Sequence, residues 1–166
     1  MVIPFLRLAI EPIPCSSRCA SLANLLPRDQ WNRIRRHICR RARYHCKICG
    51  REGRMYCHEI WQFNEQTGYQ YLFGFECLCK ACHKTKHYFF GNNSQERAML
   101  FQHFLTVNGL TRQKGIDHLM NAYRKQLRLN HRKWIINYGQ HNWHIPPTAT
   151  VEQRRSHARF NHPRGR

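Results

Sequence analysis

The chain has 166 residues, with 28 Lys and Arg against 9 Asp and Glu, a formal net charge of +19 when its 12 His are counted neutral. A composition 42% hydrophobic and 12% aromatic supplies a core and excludes wholesale disorder, while nine carboxylates spread over the chain exclude a clustered acidic site for two hard metal ions. What remains is a folded domain that seeks polyanions and builds any metal centre from His and Cys.

The N-terminal stretch does not have the form of a signal peptide. No basic residues precede its apolar run, Arg7 interrupts it, and Pro12 and Pro14 close it. No apolar run reaches the roughly 18–20 residues needed to cross a bilayer. The expectation is a cytoplasmic chain without membrane contact, where Cys-x-x-Cys pairs bind zinc rather than form disulfides.

In chain order, residues 1–27 form an N-terminal segment in which Phe5 to Ile10 reads as a short strand ending at Glu11-Pro12. A unit over 28–91 opens with a helix from about Arg28 to Arg43, with Asp29 as its N-cap. Trp31, Ile34, Ile38 and Ala42 recur at helical spacing and predict one buried stripe, leaving Arg33, Arg36, Arg40 and Arg43 outside it. From Arg28 to Arg54 ten Lys/Arg face two acids, a local charge of +8 that predicts phosphate contact.

Two apolar runs between Met55 and Leu78 flank Asn64-Glu65-Gln66-Thr67-Gly68 and predict a β-hairpin with a long loop. Tyr69, Tyr71, Phe73 and Phe75 alternate on its second strand; core packing is preferred over a base-stacking row. Helical spacing follows from Lys80 to Phe89.

Residues 92–144 read as the helical C-terminal half of the same domain. Asn93 with Glu96 caps one helix bearing Met99, Leu100, Phe104 and Leu105, which Asn108-Gly109 ends. Thr111 caps the next, bearing Ile116, Leu119, Met120, Tyr123 and Leu127. Trp134, Ile135, Ile136 and Tyr138 form a closing strand or a packed extension. Residues 145–166 read as a basic flexible tail, with five Arg and one Glu from Glu152 onward.

Two knuckles carry the strongest chemical signal. Cys46-Lys47-Ile48-Cys49-Gly50 and Cys79-Lys80-Ala81-Cys82 each let one tight turn offer two sulfurs, and together they complete a tetrahedral Cys₄ site for structural Zn²⁺. The 29 residues between Cys49 and Cys79 leave room for the hairpin. His83 and His87, four apart on a helix, project from one face and imply a second metal position. Cys15, Cys19, Cys39 and Cys77 read as buried thiols. His37, His45, His103, His118, His131, His141 and His144 show no partner, and His157 and His162 add to a cationic arm.

The pattern Cys46-x-x-Cys49-Gly50, Cys57-His58-Glu59-x-Trp61 and Leu78-Cys79-x-x-Cys82-His83-x-x-Lys86-His87 resembles the HNH endonucleases, the ββα-metal nucleases, in the version braced by a zinc ribbon. It spans residues 44–88. Leu26-Pro27, Trp31-x-x-Ile34-Arg35 and Val107-Asn108-Gly109 extend the likeness to small bacterial HNH proteins with a Cys-His-Glu-x-Trp strand.

The resemblance implies an α+β fold, a zinc-braced ββα unit with flanking helices, that hydrolyses phosphodiester bonds of nucleic acid, foremost double-stranded DNA. It makes His58 the general base and His83 and His87 ligands of one divalent ion, Mg²⁺, Mn²⁺, Ni²⁺ or Zn²⁺. Cys57 stands where the family carries an Asp or His ligand, so it is the third candidate ligand. A strand points neighbouring residues to opposite faces, so Cys57 joins His58 only if the strand is distorted. Lys84, Lys86 and the helix arginines Arg33, Arg36, Arg40 and Arg43 would contact phosphates. Gly74 aligns with the family's middle Asn, leaving Glu59 or Asn64 as candidate braces. The competing reading is an inactive HNH-like zinc module that binds nucleic acid or a nucleoprotein partner; a ribosome-type RNA protein ranks below both because it leaves His83 and His87 without a role.

Overall fold

The computed structural model describes residues 6–17 and 20–139. The hairpin at its centre pairs β1 (Met55–Asn64) with β2 (Tyr69–Cys79), antiparallel. The turn cluster makes the connection as its residue types demand. Asn64 accepts the backbone N–H groups of Gln66 and Thr67, both at 3.0 Å, and Gly68 adopts a left-handed φ of 76°. β3 (Ile135–Asn137) adds to β2 in parallel, opposite Tyr69 to Tyr71, so the Trp134 to Tyr138 segment is a closing strand. The buried Trp134 donates its indole N–H to the Leu129 carbonyl at 2.9 Å.

A register shift at Ile60/Trp61 organises the two faces of the hairpin. Ile60 lies opposite Gly74 and Trp61 opposite Leu72, which leaves Phe73 as an extra residue, 67% exposed. One extra residue reverses the alternation, so Leu72 and Phe75, three apart, pack into the same cluster with Leu22, Leu26, Ile34 and Trp61. This corrects the reading of Tyr69, Tyr71, Phe73 and Phe75 as one core row. Phe75 packs against the core, Phe73 faces solvent, and Tyr69 and Tyr71 stack on each other at 5.6 Å, each partly exposed.

Helix α1 (Leu22–Leu25) and α2 (Arg28–Arg41) cover that cluster. The expected cap at Asp29 is corrected. Pro27 occupies the N-cap position, which puts Asp29 inside the first turn, where its carboxylate takes the Arg33 guanidinium at 2.7 Å. The helix stops at Arg41 because Arg43 and Tyr44 turn left-handed, at φ 51° and 55°.

The other face carries α3 (Lys80–Lys86), a 3₁₀ turn (Tyr88–Phe90), α4 (Ser94–Asn108) and α5 (Arg112–Asn130). Asn93 and Thr111 cap α4 and α5 through their side chains, as their residue types predict, and Gly109 ends α4 at a left-handed φ of 61°. The second core holds Leu8, Ile10, Ile48, Leu78, Phe101, Phe104 and Leu105 together with Cys46, Cys79 and Cys82.

Residues 6–10 form no strand; Phe5 lies outside the described residues. The backbone there finds side-chain partners instead of a ladder. The Asn108 amide accepts from Leu8 N–H at 3.1 Å and donates to the Leu8 carbonyl at 2.8 Å, and His118 accepts from Ile10 N–H at 3.2 Å. His118 therefore has a partner that the sequence reading did not supply, and so do His45, which meets Glu52 at 2.8 Å, and His103, which meets Cys82 Sγ at 3.2 Å. Cys15 opens an exposed 3₁₀ turn (Cys15–Ser17) rather than a buried site. Cys19, His141, His144 and the 145–166 tail lie outside the described residues. Asn108→Ala strips both backbone groups of Leu8 of their partners and is expected to cost about 1–3 kcal/mol. Chemical denaturation checks the cost, with the Leu8 amide exchanging faster; an unchanged midpoint counts against it.

Candidate metal centres

The four knuckle cysteines converge. Cys46, Cys49, Cys79 and Cys82 bring their sulfurs within 4.8 Å of one another, three of them on buried residues. Cys49 and Cys79 sulfurs lie 3.6 Å apart, far beyond a disulfide bond and close to the edge of about 3.8 Å for a tetrahedron with metal–sulfur bonds of about 2.3 Å. The donor set therefore fits a structural zinc. Local backbone prepares it. Gly50, at φ 74°, lets its N–H close on the Cys46 carbonyl at 2.9 Å, and Cys79 caps α3 by accepting from Cys82 N–H at 3.5 Å. Burial opposes ionisation of the Cys46 thiol, but the N–H groups of Cys49, Cys79 and Ile48 outweigh it and lower its pKa to about 7. His103 Nε2 lies 3.2 Å from Cys82 Sγ, an outer contact of the kind that orients a ligand.

The second cluster joins His58 of β1 to His83 and His87 of α3 and its C-cap. One ring nitrogen from each lies within 4.8 Å of the others. The rings of His83 and His87 meet edge to face at 4.8 Å, and His58 stands 5.3 Å and 4.9 Å from them. The i, i+4 spacing on α3 thus places both rings over one strand position. His87 Nδ1 is fully buried with no hydrogen-bond partner among the described residues, a cost that a metal ion would remove. Burial, with the neighbouring imidazole of His58 second, depresses the pKa of His83 to about 4. The same causes, joined by His83, take His87 to about 3. Both rings stay neutral at pH 7, the state that binds metal.

These histidines line a cleft of about 900 Å³ whose walls include Ser21, Trp31, Trp61, Gln70, Lys84 and Phe90. His58 itself is only 2% exposed, and its Nε2 lies 2.9 Å from Glu11 Oε2. Glu11 was not picked out from the sequence. Its other oxygen takes the Lys86 ammonium at 2.6 Å, and Lys86 also pairs with the buried Glu76 at 2.8 Å. The one available signal was a single acid in an apolar segment, since a buried carboxylate needs a charged partner.

Three expectations are corrected. Lys86 cannot contact phosphate, because its nearly buried ammonium is held between Glu11 and Glu76. Cys57 lines the cleft wall but stands apart from the three-histidine cluster. The register shift falls at Ile60/Trp61 and leaves the strand alternating at Cys57. Burial, with Cys39 next, pushes its thiol up to about 12, so it stays protonated. Glu59 does not brace the loop before α3; it accepts the Leu22 N–H at 2.7 Å and the Trp61 indole N–H at 3.0 Å, tying α1 to β1. Asn64 is spent in the hairpin turn.

The arginines of α2 lie on the surface. Arg33 is paired with Asp29, Arg36 bonds the Asn32 carbonyl at 3.1 Å, Arg40 is exposed, and so is Arg43, which lies just past the end of the helix. The α2 residue on the cleft wall is Trp31. Lys84 reaches the wall while paired with Glu96. No family model matches the chain, and no curated protein or solved structure matches it significantly.

Cys82→Ser is expected to abolish stoichiometric zinc and to lose most of a metal contribution that reaches about 10–16 kcal/mol in small zinc units; mass spectrometry under native conditions and circular dichroism check both. The histidines give a pH dependence of the opposite kind. An unfolded chain protonates them near 6.5, whereas the fold holds them neutral to about 4 and 3. With the histidine centre free of metal, stability should fall as pH drops from about 6.5 towards 4, by about 1 kcal/mol per pH unit for each ring. Replacing both (His83→Phe with His87→Phe) should flatten the dependence of Tm on pH over that range, and an equal slope in wild type and variant would contradict it.

Proposed function

We propose that this chain is a metal-dependent endonuclease of the HNH type, acting on double-stranded DNA. The observation that carries the reading is the cluster of His58, His83 and His87 lining a cleft, with His87 Nδ1 buried and unpartnered among the described residues. A net charge of +19 and the exposed arginines of α2 supply the attraction to a polyanion.

His83 and His87 would hold the divalent ion, which when bound neutralises charge on a phosphate oxygen and on the departing 3′ oxygen. His58 takes a proton from the attacking water. Lys84, at the wall, is placed to meet a flanking phosphate once it exchanges Glu96 for it, and the α2 arginines act further along the duplex as sequence-independent contacts. The zinc knuckles hold the hairpin against α3, and so hold His58 against the two ligands.

Purified protein with supercoiled plasmid and Mg²⁺, Mn²⁺, Ni²⁺ or Zn²⁺ tests the reading. Nicking that falls about 10²–10⁴-fold in His58→Ala is expected, the usual contribution of a general base. No difference between the two proteins in any metal would reject it.

The burial of His58 favours one competing reading, an inactive zinc module that binds nucleic acid or a nucleoprotein. It requires binding that His58→Ala leaves unchanged, with log K falling about 0.9 per phosphate contacted for each tenfold rise in salt.

A further inference from the structure

Glu11 lies 47 positions before His58 in the sequence, yet its carboxylate meets the ring at 2.9 Å. It does not hang there loosely. Its backbone N–H donates to the Lys86 carbonyl at 2.9 Å, and its second oxygen holds the Lys86 ammonium at 2.6 Å. Lys86 is in turn shared with Glu76, the residue directly opposite His58 across the hairpin. The Glu11 carboxylate therefore stands between the Lys86 ammonium and the His58 imidazole.

We infer that Glu11 is a positioning residue for His58, fixing the ring in the tautomer that carries its proton on Nε2 and leaves Nδ1 with the free electron pair. A carboxylate accepts hydrogen bonds and cannot donate them when ionised, so the nitrogen it faces must bear the proton. That leaves Nδ1 as the nitrogen with which His58 would act as a base. Lys86 and Glu76 keep the Glu11 carboxylate from rotating away. The catalytic part of this inference rests on the endonuclease reading; the tautomer does not.

The decisive measurement is ¹⁵N NMR of the full chain with labelled histidine, zinc loaded, at neutral pH. It is compared with Glu11→Gln, which keeps the shape but replaces an obligate acceptor by an amide that can present either its oxygen or its NH₂. Wild type is expected to show His58 protonated on Nε2 alone, and the variant a mixture of tautomers. A wild-type ring protonated on Nδ1, a doubly protonated ring, or identical ring signals in the two proteins would each overturn the inference. Far-UV circular dichroism confirms that the variant is folded; should it fail to fold, Lys86→Met, which frees the Glu11 carboxylate, is read in the same way.

Plasmid nicking supplies the second arm. Glu11→Gln should lower kcat about 10–100-fold with little change in KM, and add nothing to the loss in His58→Ala when the two are combined. Additive losses would show that Glu11 acts elsewhere and overturn the catalytic role. If wild type does not nick at all, the endonuclease reading falls while the NMR result still decides the tautomer.

Discussion

Everything in this fold depends on one junction, where β2 ends and α3 begins. Cys79 is at once the last residue of the strand, a ligand candidate of the sulfur cluster and the N-cap of the helix. A metal ion held by all four sulfurs tolerates little angular change, and would tie Cys79 and Cys82 to Cys46 and Cys49 and set how α3 leaves the sheet. His83 and His87 then lie over β1 because the helix has no freedom to carry them elsewhere. A seven-residue helix could not hold that direction by its own hydrogen bonds.

The second constraint is electrostatic. A strongly basic chain has placed two of its few carboxylates, Glu11 and Glu76, in a largely buried position around one lysine. Buried ion pairs of this kind contribute little net stability, because desolvation offsets the attraction. Their effect is on geometry and on which protonation states survive. Beside them two imidazoles are held neutral by burial, so a neutral pair of rings and a carboxylate–lysine group stand on either side of His58.

What could be read from the sequence was whatever lies close along the chain. Each Cys-x-x-Cys pair is a single turn, His83 and His87 are one helical turn apart, and Asn93 and Thr111 cap helices a few residues away. Those features appear where their spacing puts them. The hairpin was legible for the same reason, but the extra residue at Phe73 was not, since one insertion leaves the hydrophobic pattern of a strand intact while exchanging its faces. The partner of Glu11 was not legible because it is 47 positions away, and Leu8 finds Asn108 a hundred residues on. Composition misled in one place. Lys86 counted as one more cation for phosphate, when its neighbours in space are acids. Cys57 misled by alignment with a family pattern, whereas the alternation of the strand points away from a shared site.

The attachment of the N-terminal segment has a consequence for the order in which the protein matures. Glu11 precedes in the chain all the groups that hold its segment, Lys86, Asn108 and His118. A nascent chain can close the sulfur cluster soon after Cys82 emerges, and α3 with it. The segment around Glu11 is held along its length only when α4 and α5 have formed, because Asn108 and His118 fix Leu8 and Ile10. Closure of the sulfur cluster and completion of the contacts around Glu11 therefore need different lengths of chain, the first ending at Cys82 and the second drawing on residues of α4 and α5.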